Sequence, residues 1–238
     1  MRRRCGPGAR LEAFGLTDRD QTSKLPLIIV GGGGHAKVVA STLLLQHRVV
    51  LGFVDVDPAT PPLLGIANLG NDDTVFDYSP DRVRLVNGVG SVKSTTLRQT
   101  IYENFVSKDY SFETVIHPSA IVSPDVEVGA GVQIMAGAVV QPGCQVGFNA
   151  IINTGACVDH DCVIGAHAHI APGATLSGRV HVGSGSQIGT GATIIQGIQV
   201  GASSIVGAGA VVIRNVPDGV IVVGVPAALL TSRVVSRQ

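Results

Sequence analysis

The residues best suited to chemistry in this 238-residue chain are a histidine between two carboxylates, Asp159-His160-Asp161, and a glycine eighteen positions later, Gly178. A carboxylate that hydrogen-bonds an imidazole fixes its tautomer and makes it a better general base. A glycine at an exposed turn leaves main-chain N–H groups uncovered, where they can hold a developing oxyanion and leave room for a thioester. A base beside an uncovered amide is the minimum equipment for acyl transfer. The simpler alternative is that Asp-His-Asp is a solvated corner. The choice depends on whether the fold makes His160 and Gly178 neighbours.

A second constellation lies near the front. An apolar run at 25–30 ends in Gly31-Gly32-Gly33-Gly34-His35-Ala36. A helix is predicted over 37 to about 46, then a strand over 49–54 ending in Asp55 and Asp57. Strand, glycine turn, helix, strand, acid is the order of a nucleotide-binding βαβ unit, whose bare N–H groups face a phosphate at the helix N-terminus. Four successive glycines are costly to order, which argues for a function, although a plain tight turn is the simpler reading and the spacing also allows NAD. His35 stands where packing needs no imidazole, which points to a polar substrate group. A further strand at 83–86, Gly88 and Gly90, and a helix at 95–107 complete the unit.

The elements that must position His160 are written as a period of six. Residues 115–216 divide into seventeen blocks, each with Ile, Val or Leu second and nearly always a small or aliphatic residue sixth. A hexapeptide period predicts a β-helix. Three blocks make one triangular coil, so residues eighteen apart stack. Second and sixth positions fill the interior, and third to fifth positions form the corners. Gly178 then lies one strand spacing, about 5 Å, above His160. Cys144 and Cys162 stack inside as reduced thiols. His169 and His181 open their blocks, and His47, His117 and His167 are expected to be ordinary surface or edge residues. Zinc held between chains by histidines is the competing use, but the close histidines are two, seven, nine and twelve residues apart, and no metal is expected.

Composition removes other classes. Formal net charge is zero and no basic block follows residue 10, so no nucleic-acid partner is expected. Aromatics are 4% and Trp is absent, which argues against a conventional sandwich or bundle core. The longest apolar run, 220–230, is too short for a membrane span and is broken by Gly224 and Pro226. Residues 1–24 lack the apolar core of a secretory signal and read as a disordered extension, so a cytoplasmic protein is expected.

Together these residues resemble a known family, the bacterial sugar O- and N-acetyltransferases with a Rossmann-like domain ahead of a left-handed β-helix. The marks are Gly31-Gly32-Gly33-Gly34-His35-Ala36-Lys37-Val38-Val39, Ile116-His117-Pro118-Ser119-Ala120, Asn153-Thr154-Gly155-Ala156, Asp159-His160-Asp161 and Gly224-Val225-Pro226-Ala227. The resemblance covers about residues 25 to 230. It implies that His160 is the base and Asp161 its tuning carboxylate, with Asp159 the second choice. Some relatives carry Glu where this chain has Asp161, one methylene shorter. The resemblance also implies that His169 lies near the acetyl-CoA thioester, that Gly178 donates to its carbonyl, and that Thr190 and Ala208 line the pantetheine. Gly33, Gly34 and His35 would hold a nucleotide-sugar, with Asp55 near its base or ribose and Gly90 on a second loop. The left hand of the β-helix and a homotrimer closing the site between chains come from the same source.

The expected organisation is an extension (1–24), an α/β Rossmann-like nucleotide-sugar domain (25–112), a left-handed parallel β-helix acetyltransferase domain (113–230) and a tail (231–238). The expected activity is acetyl transfer from acetyl-CoA to the amino group of a UDP- or GDP-linked 4-amino sugar in glycan biosynthesis. The rivals are O-acetylation of a sialic-type sugar and a non-catalytic module that binds a nucleotide-sugar.

Overall fold

The computed structural model describes residues 25–91 and 94–230. The expectations for 1–24 and 231–238 lie outside the described residues.

The front of the chain builds a four-stranded parallel sheet from β1 (Leu27–Val30), β2 (Val50–Val54), β3 (Asn68–Gly70) and β4 (Arg84–Asn87), in the order β3-β2-β1-β4. The fully buried run in β1 marks a strand covered on both faces, as parallel strands require. Helix α1 (Gly34–Leu45) connects β1 to β2, and α2 (Thr96–Val106) follows β4. Helix α1 starts three residues earlier than the sequence suggested. Its first turn closes by Lys37 N–H donating to the Gly33 carbonyl at 3.1 Å, so two glycines read as turn belong to the helix entry. The β3 strand and the 3₁₀ turn at Asp72–Asp77 were not foreseen, being short and polar. Strand order reverses direction at β1, between β2 and β4, and in open parallel sheets ligands bind at the carboxyl ends beside such a point. The Gly31–Gly34 turn and the loop after β4 meet there.

From Val115 the chain becomes a parallel β-helix of two-residue strands stacked in three sheets. Each strand pairs with those eighteen residues away, as in Ile151↔His169 and Cys157↔Thr175. Second and sixth positions interleave in one apolar column, with Ile152, Val158, Ile164, Ala168 and Ala174 all essentially inaccessible. Cys144 and Cys162 lie in that column as free thiols, and burial pushes the Cys162 thiol up to about 12. Fifth positions take a left-handed backbone (φ near +60°), which favours glycine. Asn149, Asp161, His167, Arg179 and Ser203 occupy such positions instead. Asn, Asp and His adopt this region more readily than most non-glycine residues.

The front domain lies against the β-helix sheet that carries Gln133, Ile151 and His169. Val115 and Met135 join the same apolar cluster as Leu27, Ile29, Val39 and Phe53. Helix α2 docks on a corner of the prism, where Tyr102 stacks on Phe112 and Phe148 with ring centroids 4.7 and 5.6 Å apart. The buried Arg98 donates to the carbonyls of Asn149, Asn87 and Val89. Docking corrects one expectation. His167 is no surface residue: it is 4% exposed, paired with Asn149 at 2.9 Å and edge-on to Phe148. Its fifth position would face solvent on a bare β-helix, but α2 covers it.

Candidate active site

Gly31 and Gly32 are explained by packing. A Cβ on Gly31 would lie 2.8 Å from Val89, and φ there is +101°; one on Gly32 would lie 2.8 Å from Phe53. Gly33 and Gly34 are different. A Cβ on either meets nothing within 4 Å, and neither has positive φ. Neither packing nor backbone geometry asks for glycine there. Gly33 is the N-cap of α1, a position glycine suits, and Gly34 opens the first turn, so the helix start is bare of side chains, with no capping group and no acid in its first turn, and leaves room for another molecule to approach the main chain.

Above that turn is a cavity of about 460 Å³ between the two domains of one chain, lined by Gly34, His35, Gly90, Asn153, His169 and Thr190 among others. His35 Nε2 lies 2.7 Å from Gln133 Oε1, and Gln133 Nε2 donates to the Asn87 carbonyl at 2.8 Å. A carbonyl only accepts, so the amide orientation is fixed and its oxygen faces the ring. His169 is held in the opposite sense. Asn153 Oδ1 accepts from Thr154 N–H, so its NH₂ group donates to His169 Nε2 at 3.0 Å. Burial pushes His35 down to about 4, helped by the Arg98 charge and opposed by the bond to Gln133. Burial likewise pushes His169 down to about 4, with the His35 and Arg98 charges adding to the effect and the nearby Ser91 main chain opposing it. Both rings are neutral near pH 7.

Asp55 accepts from Gly32 N–H at 2.6 Å and from Asp57 N–H at 3.0 Å. Its carboxylate clamps the glycine turn from below. Ala208 lies one coil above Thr190, eighteen residues on, with Gly209 N–H bonded to the Thr190 carbonyl at 2.9 Å.

His160 lies on another corner. Its Nδ1 is 2.8 Å from Asp161 Oδ2, and the two side chains are about half exposed. The left-handed backbone of Asp161 folds its short carboxylate back onto the neighbouring ring, so the missing methylene does not prevent contact. The carboxylate only accepts, so Nδ1 donates, and in the neutral ring Nε2 carries the lone pair. That nitrogen lies 2.4 Å from where a Cβ on Gly178 would be, so only glycine leaves room for the ring. Asp159 bonds only the main chain in this pair, accepting from His160 N–H at 2.8 Å.

Thus Gly34, His35, Gly90, His169 and Thr190 meet at one cavity, with Gly33 and Asp55 in its turn, whereas His160, Asp161 and Gly178 do not line it. A larger, shallower hollow of about 650 Å³ on the sheet carrying His181 contains none of the expected site residues. Among the described residues no group of three or more His, Cys, Asp or Glu gathers as a metal site. Sequence reasoning missed Gln133, Asn153 and Arg98 as individual residues. Gln133 opens its block just as Gln145, Gln187 and Gln199 do, so nothing local distinguishes it.

Comparison with known proteins supplies a family. The PglD N-terminal domain matches residues 26–105, and the bacterial transferase hexapeptide (six repeats) matches residues 143–178. No curated protein matches the chain. Among solved structures, a point mutant of perosamine N-acetyltransferase from Caulobacter crescentus, in complex with CoA and GDP-perosamine, is 42% identical. The match covers 87% of this chain and 97% of that one, with a TM-score of 0.82. The acetyltransferase domain of PglB from Neisseria gonorrhoeae, in complex with acetyl coenzyme A, is 38% identical over 87% of this chain and all of its own, with a TM-score of 0.81. WeeI from Acinetobacter baumannii is 25% identical over the same shares, with a TM-score of 0.73. By its front domain, its hexapeptide β-helix and these relatives, the chain belongs to the sugar acetyltransferase family.

Proposed function

We propose that this enzyme transfers the acetyl group of acetyl-CoA to the amino group of a nucleotide-linked 4-amino sugar, with His160 as general base. The observation that carries the reading is the Nε2 edge of His160 set beside Gly178, with Nδ1 bonded to Asp161. The relatives crystallised with CoA and GDP-perosamine or with acetyl coenzyme A support the substrate class. The amine nitrogen attacks the thioester carbonyl while His160 Nε2 takes its proton. The Gly178 N–H holds the oxyanion, the C–S bond breaks, and the proton passes from His160 to the departing thiolate. General-base help of this kind is worth roughly 10²–10⁴ in rate. No acyl-enzyme is required, and the buried Cys144 and Cys162 thiols are pushed up, away from thiolate.

His160 and the cavity occupy different corners of one chain, so the reading includes a homotrimer. In it the His160 corner of one copy faces the cavity of the next, where Gly33, Gly34, His35 and Gly90 hold the nucleotide-sugar and His169, Thr190 and Ala208 line the path of the acetyl donor. A heterologous contact, in which one surface of a copy meets an unlike surface of the next, forms a ring when its rotation closes. Thiol release from acetyl-CoA, assayed with UDP-, GDP- and CMP-linked sugars, tests the reaction. Release with a nucleotide 4-amino sugar is expected. Release only with a hydroxyl acceptor, or with no sugar in the panel, overturns it.

A further inference from the structure

One buried residue outside the proposed catalytic group bridges the two domains beside the cavity. Gln133 is fully buried on the β-helix, yet both of its polar ends reach the front domain. Its NH₂ group donates to the Asn87 carbonyl at 2.8 Å and its oxygen faces His35 Nε2 at 2.7 Å. Asn87 is itself pinned: its side-chain amide donates to the Arg98 carbonyl at 3.0 Å, and its own carbonyl also accepts from the Arg98 guanidinium at 2.9 Å. The amide of Gln133 therefore cannot turn over without placing its oxygen against a carbonyl. An amide oxygen can only accept, so the proton of His35 resides on Nε2 and the lone pair on Nδ1. Gly90 leaves room for the ring: a Cβ there would lie 3.1 Å from that of His35.

We propose that Gln133 is a positioning residue that locks His35 in the Nε2–H tautomer, so that the bare Nδ1 accepts a hydrogen bond from a donor group of the nucleotide-sugar. This rests on the substrate reading given above. The lock spans the two domains, so it also ties the shape of the cavity to their docking. His169 is an internal comparison: Asn153 donates to its Nε2, which puts the proton on Nδ1, the opposite tautomer.

The test is nitrogen NMR of the full chain with labelled histidine at pH 7, assigned with His35→Gln and His169→Gln. Wild type is expected to show His35 protonated on Nε2 and bare on Nδ1, and His169 the reverse. In Gln133→Leu, His35 should lose its single tautomer while His169 keeps its own. The KM for the nucleotide-sugar should rise about tenfold, the worth of one buried hydrogen bond, with the KM for acetyl-CoA unchanged. A wild-type His35 that carries its proton on Nδ1, or on both nitrogens, overturns the proposal whatever the variant does. So does a Gln133→Leu protein with wild-type tautomer and KM. If no nucleotide-sugar is acetylated, the substrate reading fails, and the wild-type spectrum still decides the tautomer.

Discussion

Two histidine neighbourhoods in this molecule are built on opposite principles. Around His35 and His169 the rings line an interdomain cavity, burial drives both toward the neutral form, and amides of the protein bond one nitrogen of each. Around His160 the ring is about half exposed and bonded to an equally exposed carboxylate, with a glycine cleared to admit it. The first arrangement suits recognition, because a neutral ring of fixed tautomer offers one defined donor or acceptor. The second suits proton transfer, because Asp161 holds Nδ1 while the Nε2 edge stays open to an incoming group. A single chain keeps the two apart, and the proposed assembly brings them together.

The largest effect that would break this contrast is at the open corner. His160→Ala should lower kcat by about a hundredfold or more with melting temperature unchanged, and steady-state kinetics with circular dichroism checks both. Gly178→Ala should cost about tenfold or more in kcat, because its methyl group would overlap the His160 ring and displace it. Asp161→Asn should cost less than His160→Ala but more than Asp159→Asn, since Asp161 bonds the ring and Asp159 only the main chain.

On the cavity side, Gly33→Ala and Gly34→Ala should fold normally, since each methyl group enters open space. The KM for the nucleotide-sugar should nevertheless rise several-fold. Unchanged KM in both would remove the argument that a ligand approaches this turn. The buried rings also predict a direction with pH. His35 and His169 are held near 4 in the folded chain against 6.5 in an unfolded one, so the unfolded state binds more protons between those values. Stability should fall as pH drops from about 6.5 toward 4 and level off below, by an amount on the order of a few kcal/mol. Replacing His169 by Gln should flatten part of that slope, read by thermal melts across the range.

The β-helix was legible because its period is redundant: the pattern is repeated along the chain, and second and sixth positions can face only the interior. Stacking at eighteen residues then placed Gly178 over His160 without any tertiary information. What escaped was the docking of the two domains. His167 looks like an exposed corner and Gln133 like any other block-opening glutamine until α1 and α2 cover them. The same applies to Asn153, whose role depends on a ring sixteen residues away. The glycine turn was recognised as a whole, but its division into two packed and two open residues needed coordinates.

The central claim, that the working site joins the His160 corner of one copy to the cavity of another, is tested most directly by mixing two inactive variants. His160→Ala removes the base, and Gly34→Phe fills the cavity. Co-assembled in equal amounts, they should recover about a quarter of wild-type activity, because that fraction of shared sites draws an intact half from each. Recovery of none, with mixed trimers verified by mass, would place both halves of the site in one chain and contradict the account.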